Sequence, residues 1–242
     1  MRSDSTGCGP PACLPASYLL TRNRPMDVVG ILEAAALLVP QGVATENEIT
    51  VSDVWDYLAH DEWEVALDLL EELGDEWTAP TGFWEELERA AGAMGLERSR
   101  AWCQWRGTET RAGVIRAELA LRPAGETFRR TPIPGAGVLR PMWDIGNVRG
   151  DGAPELDIAL VWVEFAADVS PGDRAPVRLL PLAPERWGHL APGDLITMYE
   201  TSTAGGTARV LEVQSPPGVE RSGRPQLSWR SRVSSPARET GR

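Results

Sequence analysis

Few side chains in this sequence have an obvious capacity for chemistry. His60 stands beside Asp61, Glu62 and Glu64, a set that could ligate a metal or move a proton. Such chemistry needs convergent groups, and neighbours at a helix start point in different directions. His189, the other histidine, reads as a surface group at a barrel rim. Cys8 and Cys13 sit in a Pro/Gly-rich leader with no second pair downstream, so no four-ligand zinc pattern forms. Cys103 has no histidine next to it to activate a thiolate. Asp144, Asp157 and Glu164 fall on or near expected strands, where carboxylates are expected to face solvent. No Gly-x-Ser-x-Gly elbow is present. All 24 Lys+Arg residues are arginine, which excludes a P-loop lysine, a Schiff-base lysine and a kinase-type phosphate-binding lysine. The stock of groups argues for a non-enzymatic protein, with no catalytic residue, cofactor or metal site expected.

The elements that would position these residues divide the chain into four. Residues 1–25 are a Ser/Gly/Pro/Arg leader with little periodicity. Met26 directly precedes the first helical pattern, so translation starts at Met1 or at Met26. Residues 26–110 read as a helical subdomain, 111–213 as β structure, and 214–242 as a disordered tail rich in Arg, Pro and Ser. No apolar run approaches the roughly 18 residues of a membrane span, and prolines interrupt the N-terminus where a secretory signal would need an apolar core. A cytoplasmic protein with no membrane association is the expectation.

In the helical part, Val28, Ile31, Leu32, Ala35 and Leu38 recur at helical spacing over 27–39, and Pro40 ends the run. A short helix starts near Ser52. Asp61-x-x-Glu64 predicts a capping box for the next helix, whose apolar face is Trp63, Ala66, Leu67, Leu70 and Leu73, with Gly74 as its stop. Phe83, Trp84, Leu87, Ala90, Ala91 and Met94 form the stripe of a further helix, ending at Gly95. The two amphipathic helices should pack antiparallel. Trp102 and Trp105 are expected to cover the junction with the β part.

Charge is concentrated in one segment. Residues 46–100 hold 16 Asp/Glu and 3 Arg, a net of −13, against −11 for the whole chain. Such a face steers a basic partner and repels phosphate, which argues against direct nucleic-acid binding except through the Arg-rich tail. The candidate partner-binding residues are Glu62, Trp63, Glu64, Asp68, Glu71, Glu72, Trp84, Glu85 and Glu88. Trp63 or Trp84 would be the aromatic anchor if exposed.

From 113 onward the pattern is β. Runs over 114–121, 138–145, 158–165 and 177–182 are separated by Gly/Pro turns, and 184–189 reads as one helical turn. Short strands at this spacing predict an antiparallel barrel or sandwich packed on the helices. The stretch GHLAPGDLITMYETSTAGGTARVLEV predicts a closing hairpin, with Pro192-Gly193-Asp194 before it and a turn at Gly205-Gly206.

Several of these segments carry a resemblance. VIRAELALRPAGE, GVLRPMWDIGN with Arg140-Pro141, the Pro171-Gly172-Asp173 turn and GDLITMYETSTAGGTARVLEV together resemble the C-terminal β-barrel domain of elongation factor Tu over residues 113–213. Leu139 stands where that family has an aromatic residue. With the helical part before it, an α+β fold is expected: an acidic helical subdomain followed by an antiparallel β-barrel, which the resemblance implies is of the translation-factor type. GTP hydrolysis is not carried over, because the chain has no lysine for a P-loop. Residues 50–96, with WEVALDLLEELGDE and FWEELERAAGAMGL, resemble small helical bacterial immunity proteins of the Maf type, which neutralise toxins by binding them. Together these readings predict an immunity-like protein that neutralises a basic toxin or similar partner. The alternative is a translation-associated, RNA- or ribosome-facing barrel without GTPase activity. Monomer and dimer are equally compatible with the sequence.

Overall fold

Thr50 opens a helix with a reciprocal capping box. Its Oγ1 accepts from the Ser52 N–H at 3.2 Å, and the Asp53 carboxylate accepts from the Thr50 N–H at 2.7 Å. These two bonds satisfy amide donors that a helix start leaves open. The computed structural model describes residues 27–127 and 129–216. The leader and nearly all of the tail lie outside the described residues.

Five helices come first: α1 (Val28–Ala36), α2 (Val51–Ala59), α3 (Trp63–Leu73), α4 (Thr81–Met94) and α5 (Glu97–Ala112). The capping box belongs to α2 and not to α3. Asp61 is instead a linker residue with φ of 62°, and Glu62 precedes α3 without a side-chain cap. Gly95 ends α4 in the left-handed conformation, φ 75°. Gly74 follows α3 in the right-handed region, φ −60°. Space is what it supplies: a Cβ there would lie 2.4 Å from Trp84 Cη2 and 2.9 Å from Phe83 Cε1. Leu32, Leu67, Leu70, Leu73, Phe83, Trp84 and Leu87 form the core of this part.

Nine strands follow: β1 (Val114–Leu121), β2 (Ile133–Pro134), β3 (Ala136–Leu139), β4 (Met142–Val148), β5 (Pro154–Val163), β6 (Asp168–Val169), β7 (Arg174–Pro181), β8 (Leu195–Glu200) and β9 (Thr203–Gln214). Six of them, β1-β7-β5-β4-β8-β9, close into an antiparallel barrel, because β7 pairs with β5 as well as with β1 and so joins the two ends of the strand order. Inward residues alternate along each strand and meet around Trp143, Leu119, Val161, Leu179, Ile196 and Met198. The α+β expectation with an antiparallel barrel is what the chain adopts. A 3-10 turn, Pro184–Trp187, falls where one helical turn was expected.

Two strand expectations are corrected. The run 138–145 is not one strand, because Arg140-Pro141 divides it into β3 and β4. Proline has no N–H to give to a ladder. Gly205-Gly206 is not a turn. Both glycines lie inside β9, and the chain reverses at Thr201-Ser202. A Cβ on Gly206 would lie 2.7 Å from the Ala120 carbonyl oxygen of β1, so close strand approach explains that glycine.

Candidate functional site

The predicted acidic residues separate into two groups. Glu62, Glu64, Asp68 and Glu72 are exposed on and just before α3, and Glu85 is exposed on α4. Glu64, Asp68 and Glu72 recur every four residues, which places them on one helix face. Among the described residues, no arginine forms an ion pair with Glu62, Glu64, Asp68 or Glu72. The reason is compositional: residues 27–88 hold 17 Asp/Glu and no Lys or Arg. Partial burial, with the nearby Glu64 charge, raises the Asp68 carboxyl above its usual range. Glu85 lies 3.7 Å from Arg111, and Glu88 is half-buried.

Two candidates, Trp84 and Glu71, turn inward from the surface. Trp84 is 1% exposed, the largest fully buried side chain of the helical core, edge-on to Phe83 and 4.4 Å beneath the Arg106 guanidinium. Its stripe on α4 is what buries it. Glu71 turns inward toward α5, where Cys103 Sγ donates to its Oε1 at 3.5 Å. Burial pushes the Glu71 carboxyl up to about 7, helped by Asp68 and Asp75 and opposed by hydrogen bonds from Cys103 and Ser99. Burial and the Glu71 carboxylate push the Cys103 thiol up, which removes it as a nucleophile. Trp63 is half-buried, with its indole Nε1 enclosed.

The strand carboxylates overturn the expectation that they face solvent. Asp157 and Glu164 are each 6% exposed. Arg186 pairs with Asp157 from the 3-10 turn, and Asn147 Nδ2 donates to Asp157 Oδ2 at 2.9 Å. Glu164 belongs to a buried network that joins barrel to helices. Arg178 of β7 donates Nη1 to Glu164 at 3.0 Å and Nε to Glu109 of α5 at 2.9 Å. Arg116 of β1 reaches Glu164 at 3.1 Å, and Arg106 reaches Glu109 at 2.9 Å and pairs with Asp75. The Trp105 indole also donates to Glu109. Burial works against the Arg178 charge, but Glu109, Asp75 and Glu164 outweigh it and hold the guanidinium charged. Burial raises the Glu109 carboxyl, while Arg178, Arg106 and Trp105 counteract it. Around this network Trp102 and Trp105 lie 5.1 and 5.5 Å from the Trp162 ring. The arrangement is a structural clamp, since every charged member already faces a partner in the protein.

The histidines are tied to backbone: His60 Nδ1 is 2.7 Å from the Asp56 carbonyl, and His189 Nε2 is 2.8 Å from that of Ile145. Among the described residues no three His, Cys, Asp or Glu side chains are grouped to hold a metal. Among them, too, no helix is long and apolar enough to cross a membrane.

On the barrel surface, two adjoining clefts of about 580 and 260 Å³ share Arg129, Glu200 and Thr201. Nothing in the strand pattern pointed to them, because the long 122–132 connection brings Arg129 and Arg130 there. No protein-family model matches the chain, and no curated protein compared with it is similar.

Proposed function

We propose that this chain is a non-enzymatic binding protein whose acidic helical face captures a basic protein, in the manner of an immunity protein bound to its toxin. The observation that carries the reading is the Glu64–Asp68–Glu72 face of α3. Like charges four residues apart destabilise a helix. Here they stand exposed with no arginine among the described residues to relieve them. A face kept at a cost to its own helix is suited to a partner of opposite charge, which it would also steer during encounter. The barrel serves as scaffold in this proposal. Its assignment to the translation-factor type is supported by the Arg140-Pro141 break before β4, the Pro171-Gly172-Asp173 turn into β7 and the long last strand β9.

The test takes those products of the genes flanking this one that carry a net positive charge, each measured by calorimetry against the full chain. Neutralising the face with Glu64→Gln, Asp68→Gln and Glu72→Gln should weaken binding at least about tenfold and flatten its salt dependence. The same variant should melt no lower than the parent, since two like-charge pairs of about 0.2–0.5 kcal/mol each are removed. Unchanged affinity would sink the electrostatic reading, and lower stability would show that the face is not a strained surface.

A further inference from the structure

We propose that the cleft between β3–β4 and the β8–β9 turn binds a short protein segment that carries carboxylates beside apolar side chains. The cleft follows from topology. Met142 of β4 pairs with Tyr199 of β8, and there the two strands part. β3 instead follows the far half of β5, through Ala136 opposite Trp162 and Leu139 opposite Val161. Arg140-Pro141 is the point of divergence. The walls are therefore Leu139–Met142 on one side and Tyr199–Thr201 on the other, with Arg129–Thr131 across one end. The larger of the two, about 580 Å³, falls in the size range of ligand sites, and the smaller extends it.

The cations of the cleft have different standing. Arg129 is already satisfied: it pairs with Glu200, and its Nη1 donates to the Thr131 and Pro132 carbonyls at 3.2 and 3.4 Å. It braces the turn. Arg130 uses Nη1 on the Thr127 carbonyl at 2.8 Å and is otherwise open to solvent. Arg140 is exposed, with no hydrogen bond or ion pair among the described residues. Arg140 thus borders the smaller cleft together with Leu139, Pro141, Met142 and Tyr199, and Arg130 borders the larger cleft that adjoins it. Thr201, which lines both volumes, is held at φ 57°, a conformation rare for a β-branched residue. The two-residue Thr201-Ser202 turn between β8 and β9 accounts for it, since such hairpin turns take a positive φ at their first residue.

Charge and apolar surface together select the occupant. A nucleic acid needs a track of cations, and the cleft offers only two open ones, Arg130 and Arg140. A segment with Asp or Glu next to Leu, Ile or Phe places its carboxylates on Arg130 and Arg140 as bidentate pairs and its apolar side chains on Leu139, Pro141, Met142 and Tyr199. This site is independent of the acidic helical face and opposite to it in charge.

Phage-displayed random 12-mer peptides, selected on the full chain and counter-selected on an Arg130→Glu/Arg140→Glu double variant, test the proposal. Enriched sequences should combine Asp/Glu with apolar residues. Synthetic versions should lose about tenfold or more in affinity with either single reversal, and equally when their acids are made amides. Glu64→Gln, Asp68→Gln and Glu72→Gln together should leave their affinity unchanged. Circular dichroism checks that the exposed arginine variants fold. Three results would overturn the proposal: no peptide that distinguishes parent from double variant, enrichment of basic sequences, or displacement of the peptides by a 12-nucleotide RNA whose binding the same reversals abolish.

Discussion

Arg178→Met removes the cation at the centre of the clamp between barrel and helices. Arg178 is 4% exposed and sits 2.9 Å from Glu109 and 3.0 Å from Glu164. Removing one member of a buried pair costs about 3–5 kcal/mol, because the remaining charge stays buried without its partner. Here the loss falls at the lower end, about 3 kcal/mol. Glu109 keeps Arg106 and the Trp105 indole, and Glu164 keeps Arg116. For a protein of this size that corresponds to a fall in Tm of about 6–12 °C. Scanning calorimetry and a urea midpoint give the number. Tryptophan emission adds the location, since Trp102 and Trp162 pack 5.1 Å apart at the seam that should loosen. Adding Glu109→Gln to Arg178→Met should cost less than the two single losses combined, with a coupling of about 1 kcal/mol or more. A loss under about 1 kcal/mol, or strict additivity, would refute the view that the network clamps the two halves.

Two further perturbations follow from the packing. Gly74→Ala should destabilise by about 1–3 kcal/mol, because its Cβ would drive into the Trp84 and Phe83 rings; a urea midpoint equal to the parent's would show that the rings give way freely. Glu71, pushed up to about 7 in the fold, holds a proton that the unfolded chain releases near its usual 4.5. Stability should therefore be greatest below about pH 4.5 for this group and fall as pH rises through about 7. Glu71→Gln keeps an acceptor for Cys103, should remove that slope, and should gain on the order of 1–2 kcal/mol at pH 8. Parallel stability–pH curves for parent and variant would count against the buried placement of Glu71.

Much of the barrel was legible because its physics is local. Strands β1, β5 and β7 show as apolar runs between Gly/Pro turns, and the helical stripes of α1, α3 and α4 predict most of their buried faces, though Leu38 falls beyond the end of α1 and is exposed. What could not be read depends on partners distant in sequence. Glycine pairs usually mark turns, but Gly206 is explained by the approach of β1, some eighty residues earlier. Carboxylates on strands usually face water, but Glu164 faces Arg178 and Arg116, which are brought there by closure of the ring. Helix α5 has a weak apolar stripe because its inner face buries Glu109 and Arg106. Trp84 was separable from a surface anchor only through its own stripe, which its neighbours Phe83 and Leu87 share. Of the candidate contact residues, the exposed carboxylates followed from composition. The cleft did not, since it forms where two strands part.

The position of β1 has a consequence for synthesis of the chain. Ile115 sits opposite both Leu179 and Val213, so the strand that opens the barrel finds its second neighbour only when the last one emerges. Helices α1–α4 can bury their core long before, from contacts close in sequence. During elongation on the ribosome the chain should therefore pass through a half-built stage, with a folded helical head and the tryptophans of α5 still uncovered. Ring closure of this kind is slow and exposed to aggregation compared with local helix packing. The acidic head, already formed and strongly charged, would keep neighbouring nascent chains apart until the barrel seals.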